Sequence, residues 1–299
     1  MEPASLKKEL KAHAKINLFL SVGKTDERGY HLLNTVFQPL HLADKIIIEE
    51  RMSKGVVLTS NQDIPLGEKN SAYKAVGLVC RKADKTIENA RLKIHIEKHI
   101  PLSSGLGGSA VDAAPVIREL NSRWNVGLAD SEMEAIASAI GADVPQALYN
   151  QTTYAERYGD LIKTKYSLPK RYVCIYIPNE YMSSCRQKTA ALYKLIDGQE
   201  KDFKQVVPML TAIWNKNWKE IGTLMHNDFE TVAFREYPLL RKVKELYLEN
   251  SAEGALLAGS GGAVFGIFRT PEESFRASNV IASSIARSRF GQIILTETA

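Results

Sequence analysis

From Ala14 to Val22 the chain alternates: Ala14, Ile16, Leu18, Leu20 and Val22 fall on one side of an extended strand, and Lys15, Asn17, Phe19 and Ser21 on the other. The period of two predicts a β-strand with a lysine and an asparagine on its polar side. "TDERGY", Thr25 to Tyr30, is a polar turn with Gly29 at its bend, and "KIIIEE", Lys45 to Glu50, is a second strand. "SAYKAVGLVCRKA", Ser71 to Ala83, has helical spacing, with Ser71 as the expected N-cap. In "ARLKIHIEKHI", Leu92, Ile94 and Ile96 alternate with Lys93, His95 and Glu97, which predicts a strand with one wet face. Ala110, Ala113, Ala114, Ile117, Leu120 and Trp124 then recur at helical spacing. A helix from Ser131 to about Ile140 is stopped by Gly141, and a short one starts near Asp143–Pro145.

The texture turns polar from Tyr158 to Lys170, which sets the expected domain boundary near residue 165, giving domains 1–165 and 166–299. Beyond it, "RYVCIYIP" opens a strand and two or three helices follow. "GALLAGSGGAVFGIF", Gly254 to Phe268, reads as strand, glycine turn, strand, and a helix and "QIILTET" close the chain. The polar N-terminal stretch "MEPASLKKELKA" is expected to be loosely ordered. An α+β protein of two domains results.

Composition changes the picture only at the margins. The 299 residues are 44% apolar and 24% charged, ordinary for a globular protein. Net charge is 39 − 34 = +5 without a basic run, too mild for nucleic acid and suited to an anionic small substrate. No apolar run is long enough to span a bilayer. Cys80, Cys174 and Cys185 have no metal spacing and point to reduced thiols, hence to an expected cytoplasmic location. His13, His41, His95, His99 and His226 also lack ligand spacing, so no protein-built metal site is expected.

The chemistry concentrates in "IPLSSGLGGSAVDAA", Ile100 to Ala114. A Walker-type loop needs a lysine after its last glycine, and none follows Gly107 or Gly108. Gly105-x-Gly107-x-x-Ala110 matches a dinucleotide fingerprint literally, but the strand before it is half polar, and no acid-ended apolar strand comes about 20 residues later. The remaining reading is a loop whose backbone N–H groups, with the following helix start, cradle nucleotide phosphates. Ser103, Ser104 and Ser109 would add hydroxyls.

The loop resembles the second motif of the GHMP kinase superfamily. "AKINLFL" resembles its first motif and "AGSGGAVFGIF" its C-terminal glycine motif. "ERGYHLLNTVFQPLHLADKI", "IGADVP" and "NDFE" are similar to members that act on a CDP-linked methylerythritol. The resemblance runs from about Ala12 to Phe268 in consistent order. It implies a two-domain fold, with a ribosomal-protein-S5-domain-2-like N-terminal half and a ferredoxin-like α/β sandwich C-terminal half, and an active site in the cleft between them. It implies transfer of the γ-phosphoryl of ATP to the substrate's 2-hydroxyl, with magnesium carried by the nucleotide, in isoprenoid biosynthesis. A homoserine- or mevalonate-type kinase and a non-catalytic nucleotide-binding homologue are the alternatives. Partners are expected to be the CDP-alcohol and ATP, with no nucleic acid or membrane, in a monomer or weak homodimer.

The resemblance assigns roles residue by residue. Lys15 and Asp143 are the catalytic pair, although Lys15 also fits a solvated strand lysine and Asp143 a helix N-cap. Pro101, Leu102, Ser103, Ser104, Gly105, Leu106, Gly107, Gly108, Ser109, Ala110 and Val111 form the ATP loop. Asn17, Tyr30, His31, Tyr193, Gly261 and Gly262 contact substrate, with Tyr30 and Tyr193 on the two faces of the cytosine. The chain departs from the family pattern where glycines are usual at Ser103 and Ser104, and where Gly-Ser-Ser is usual at Ser109, Ala110 and Val111. Pro115 fits either the third position of a helix capped by Asp112 or a kink in a helix from Ser109, and Gln146 replaces an apolar or aromatic side chain.

Overall fold

A computed structural model describes residues 7–179, 192–196, 203–285 and 291–299. The chain forms two compact units, neither of which is one run of sequence. The first takes the chain up to Ala14, then Leu42–Pro101 and Gly107–Asn150; the second takes Lys15–His41, Leu102–Leu106 and everything from Gln151 on.

Strands β1 (Lys8–Thr25) and β2 (His31–Glu50) contribute residues to both units. β1 therefore starts six residues before the predicted Ala14, and the N-terminal stretch is ordered from Lys8. Its charges explain this. Glu9 pairs with Lys45 of β2 at 3.3 Å and Lys8 with Glu119 at 3.2 Å, so alternate polar side chains are tied down while Ala12 and Ala14 are buried.

In the first unit the end of β2 runs antiparallel to β4 (Arg91–Glu97), with Lys45 opposite Glu97 and Ile48 opposite Ile94. β4 is parallel to β3 (Gly55–Ser60). As its alternation predicts, β4 buries Leu92, Ile94 and Ile96. Five helices complete the unit: α1 (Ser71–Lys82), α2 (Gly108–Val111), α3 (Ala113–Arg123), α4 (Asp130–Ile140) and α5 (Val144–Ala147). α1 packs on α3 and α4, burying Ala72, Ala75, Val76 and Val79.

The cap of α1 is Asn70, not Ser71. Asn70 Oδ1 accepts the N–H groups of Ala72 at 2.8 Å and Tyr73 at 3.3 Å, while Nδ2 donates to Pro65 O at 2.9 Å. An oxygen one residue earlier reaches two orphan donors at once, and the Ser71 hydroxyl is left to donate to the Ser109 carbonyl. Pro115 is the third residue of α3, where a missing N–H costs no helical hydrogen bond. α2 and α3 are separate, and Asp112 between them makes no capping bond.

In the second unit β2 pairs with β5 (Thr152–Glu156), β5 with β6 (Leu161–Tyr166), and β1 runs parallel to the two-residue β8 (His226–Asn227). A second, antiparallel sheet has the order β11 (Gln292–Glu297), β7 (Tyr172–Ile177), β10 (Val264–Phe268), β9 (Gly254–Leu257). The strands β9 and β10 flank the glycine turn that the sequence predicts. The unit also has helices α6 (Val207–Trp214), α7 (Trp218–Leu224), α8 (Glu230–Glu236), α9 (Pro238–Glu249) and α10 (Pro271–Ser284). Leu20, Val22, Tyr176, Phe229, Val243, Tyr247, Leu257 and Phe268 share its core. Cys80 and Cys174 are buried free thiols, and Cys185 lies outside the described residues. Among the described residues no helix is long and apolar enough to cross a membrane.

The capping geometry makes a prediction. Asn70→Ala should lower the unfolding free energy by about 1 kcal/mol, the usual value of a lost cap. Ser71→Ala should cost less than Asn70→Ala, as read from urea unfolding midpoints.

Candidate active site

β4 ends at Glu97, and the chain enters the loop that the sequence marks for phosphate. Ser103, Gly105 and Gly107 take left-handed backbone conformations, at φ of 63°, 82° and 81°. Alternating hands over five residues turn successive peptide groups in the same direction, which is how backbone nests form. Glycine holds this conformation without strain. Ser103 does not, and costs about 1 kcal/mol for its Cβ. The left-handed serine was not legible in the sequence, because serine gives no signal for positive φ.

Leu102–Leu106 lies against the turn Ala258–Gly262, backbone to backbone. A Cβ on Gly105 would come 2.4 Å from Ala258 O and 3.0 Å from Gly261 O. A Cβ on Gly262 would come 2.8 Å from Ser103 O and 2.9 Å from the Ser104 carbonyl carbon. A Cβ on Gly259 would come 3.1 Å from Gly105 O and 3.4 Å from Lys15 Nζ. Each segment thus needs the other's missing side chains, and the two meet beside an ammonium group. Gly259, Gly261 and Gly262 all have positive φ.

Lys15 ties β1 to this seam. Its N–H donates to Leu106 O at 2.9 Å. Its Nζ donates to Asn17 Oδ1 at 2.9 Å, Asn17 Nδ2 to Thr35 Oγ1 at 2.8 Å, and Thr35 Oγ1 to Phe19 O at 2.9 Å. The ring of Phe37 stands 5.5 Å from Nζ. Lys15 is 4% exposed and Asn17 2%, so the solvated-lysine reading is set aside. A lysine buried in this way is a fixed positive charge aimed by its partners, which strengthens its field on any nearby oxygen.

The turn after β1 presents Tyr30 and His31. Asp26 Oδ1 accepts the N–H groups of Arg28 at 3.0 Å and Tyr30 at 2.9 Å, and Gly29 bends at φ 80°. Tyr30 is 64% exposed. Its ring meets Tyr158 edge-on, with centroids 5.8 Å apart. The Tyr158 hydroxyl donates to Asp26 Oδ2, which holds the Asp26 carboxyl below its ordinary range and raises the Tyr158 phenol above its own. His31 Nδ1 donates to Gly23 O at 2.9 Å, which makes Nε2 the acceptor nitrogen of the neutral ring. Tyr193 stacks on His31, with centroids 5.4 Å apart and planes at 29°, and meets Phe229 edge-on at 4.8 Å. Tyr30, His31 and Tyr193 therefore belong to one unit, joined by Tyr158, which no sequence pattern singled out.

In the first unit Gly107 to Val111 enter α2, and Val111 is buried. Asp143 precedes α5 with helical backbone angles, and its carboxylate makes no capping bond, which sets aside the N-cap role. Its carbonyl accepts Gln146 Nε2 at 3.1 Å, so the unusual glutamine folds back to satisfy this turn.

Beneath α2 lies a buried ionic triad. Lys98 Nζ donates to Asp44 Oδ2, to Asp112 Oδ2 at 2.9 Å and to Gly108 O at 2.8 Å. Asp44 Oδ1 accepts the N–H groups of His99 and Ile100, at 2.6 and 2.8 Å. Two carboxylates share one ammonium, and Asp112 Oδ1 has no hydrogen-bond partner among the described residues. Burial, against the pull of Lys98 and with the push of Asp44, raises the Asp112 carboxyl to about 7.

Comparison with known proteins fits this arrangement. Residues 70–151 match the family model for the GHMP kinases N terminal domain, and residues 209–286 that for the GHMP kinases C terminal domain. A 4-diphosphocytidyl-2-C-methyl-D-erythritol kinase of Caldicellulosiruptor saccharolyticus is 36% identical over 291 residues, 97% of this chain and 96% of that one. The chain belongs to the GHMP kinase family. A crystal structure of 4-(cytidine 5'-diphospho)-2C-methyl-D-erythritol kinase superposes with a TM-score of 0.78 at 29% identity, covering 98% of this chain and 99% of the other. A homoserine kinase from Cytophaga hutchinsonii reaches a TM-score of 0.74 at 16% identity over 100% of this chain and 96% of its own, which shows the shared fold alone. The α+β, two-domain GHMP kinase fold follows from these matches.

The triad gives a test with a definite sign. A carboxyl whose folded pKa lies above its unfolded value adds stability fully present below the unfolded value, near 3.9, and lost as pH rises towards 7. Wild-type stability relative to Asp112→Asn should fall between about pH 4 and 7 and then level off, by urea unfolding across that range.

Proposed function

We propose that this kinase transfers the γ-phosphoryl group of ATP to the 2-hydroxyl of 4-diphosphocytidyl-2-C-methyl-D-erythritol, a step of non-mevalonate isoprenoid biosynthesis. One observation carries the choice of substrate: at 36% identity across 97% of the chain, the relative bears that substrate's name. The exposed Tyr30 beside His31 supports it, since a flat aromatic face and a ring nitrogen are what a cytosine needs from a binding site.

Phosphoryl transfer asks a protein for position and charge rather than covalent chemistry. Pro101 to Val111 hold the triphosphate through backbone donors and the hydroxyls of Ser103, Ser104 and Ser109. Lys15 stabilises the developing alkoxide, and Asp143 takes its proton; a fixed ammonium lowers the pKa of the attacked hydroxyl. Asn17 aims Lys15 and contacts the sugar alcohol. Gly261 and Gly262 face the substrate's phosphates. Tyr30 stacks on the cytosine, His31 bonds its edge, and Tyr193 closes the same pocket from behind His31.

Among the described residues no group of three or more His, Cys, Asp or Glu side chains is arranged to hold a metal ion. The donor set near the loop is hydroxyl and peptide, which suits magnesium bound chiefly by phosphate oxygens and water. Magnesium carried with the nucleotide would neutralise phosphate charge there. A cytoplasmic enzyme acting as monomer or weak homodimer completes the reading; the division expected near residue 165 falls inside β6, within the second compact unit.

ADP release from ATP–magnesium should depend on the CDP-alcohol, and dependence on homoserine or mevalonate instead would reject the assignment. Lys15→Ala and Asp143→Ala should each lower kcat at least ~100-fold, as expected for charge-stabilising and acid–base groups. Tyr30→Ala should raise KM for the cytidylyl substrate more than KM for ATP in the same steady-state assay.

A further inference from the structure

The motif "NDFE", Asn227 to Glu230, has no role in the chemistry above. Its first residue is buried, on the two-residue strand β8, with all its hydrogen-bonding groups engaged in useful directions. Asn227 Nδ2 donates one hydrogen to Leu257 O at 2.8 Å and the other to Gly259 O at 2.7 Å. Its Oδ1 accepts the Phe229 N–H at 3.0 Å. Leu257 ends β9 and Gly259 opens the glycine turn, so one carboxamide grips the turn where it leaves the sheet.

The neighbouring residue grips β1. Asp228 N donates to Leu20 O at 3.1 Å, and Asp228 Oδ2 accepts Val22 N at 2.7 Å and Ser21 Oγ at 3.1 Å. His226 Nε2 lies 2.9 Å from Asp228 Oδ1. Two consecutive residues therefore hold two different parts of the site's frame: the strand that carries Lys15, and the turn that lies against Lys15 Nζ. Three of the turn's five residues are glycines: the close backbone approach demands glycine at 259 and 262, and Gly261 has positive φ.

We infer that Asn227 is a positioning residue, whose carboxamide sets the glycine turn Ala258–Gly262 against Leu102–Leu106 and so fixes the surroundings of the Lys15 ammonium. It acts through its hydrogen bond to Gly259 O. The inference rests on the kinase reading for its catalytic consequence, but not for its geometric one.

Asn227→Asp is the informative change. It keeps the size of the side chain and the acceptor for Phe229 N–H, while replacing two donors by an oxygen facing two carbonyls. Asn227→Ser removes the carboxamide without a buried charge. Both should lower kcat about 10- to 100-fold, since a small displacement of catalytic groups costs up to about 100-fold. The KM values for ATP and the CDP-alcohol should change little, the pattern of an interaction felt in the transition state. Hydrogen exchange should quicken in the Ala258–Gly262 turn, where Ala258 N–H donates to Ala263 O and Gly261 N–H to Ala258 O, ahead of the rest of the second unit.

Ile281→Ala is the control: Ile281 is buried in the core of the same unit, on α10, away from β1 and the turn. It leaves a cavity and should lower Tm with kcat retained. The inference is overturned if the Asn227 variants keep wild-type kcat, if Ile281→Ala loses as much kcat as they do, if exchange in the turn does not change, or if neither Asn227 variant folds. Should the wild type transfer no phosphate to the CDP-alcohol, the kinase reading fails separately, and the exchange comparison still decides what holds the turn.

Discussion

The site depends on a seam made of backbone alone. Gly105, Gly259 and Gly262 let two distant segments approach so closely that a methyl group at any of them would meet a carbonyl at 2.4 to 3.1 Å. Interiors are packed too tightly to absorb such an atom without displacing peptide groups. The seam also sits beside the Lys15 ammonium, so the same steric condition that joins the segments fixes the surroundings of the site's buried charge. Two hydrogen bonds then hold the seam in place: the Lys15 backbone N–H on Leu106 O from one side, and the Asn227 carboxamide on Gly259 O from the other.

Much of this was legible in the sequence. Period-two alternation located β1 and β4, and glycine spacing located both halves of the seam. Asp143 was placed correctly at the start of a short helix, although its carboxylate does not cap it. What stayed hidden depends on partners that are remote along the chain. Alternation gave β1 one buried face, yet both are buried, because Thr35 and Asp228 arrive from 18 and 207 residues away to satisfy Asn17 and Ser21. Tyr158 reaches Asp26 across 132 residues, and no local pattern joins them. Asp112 looked like a cap by position, but a buried ammonium 14 residues back competes better for its carboxylate than two peptide N–H groups would. Asn70 and Ser71 differ by one position, which is finer than periodicity resolves.

The two units manage charge differently. In the first, Lys98 is surrounded by more acid than it can neutralise, and Asp112 responds by holding its proton more tightly. In the second, the Lys15 ammonium is met by a neutral amide oxygen and an aromatic face. The amide oxygen orients the charge, and burial strengthens that interaction. The first arrangement anchors a chain segment, and the second aims a charge at the glycine seam.

The alternation in β1 reaches further than its own packing. Lys15, Asn17 and Ser21 occupy one parity of the strand, and Ala14, Ile16, Leu18, Leu20 and Val22 the other, with both sides enclosed. Sliding the strand by a single residue would drive an ammonium and an amide into hydrocarbon and pull leucine and isoleucine onto Thr35 and Asp228. The polar residues therefore act as alignment pegs during assembly: a misthreaded strand is rejected by the very groups that the finished molecule uses for its chemistry.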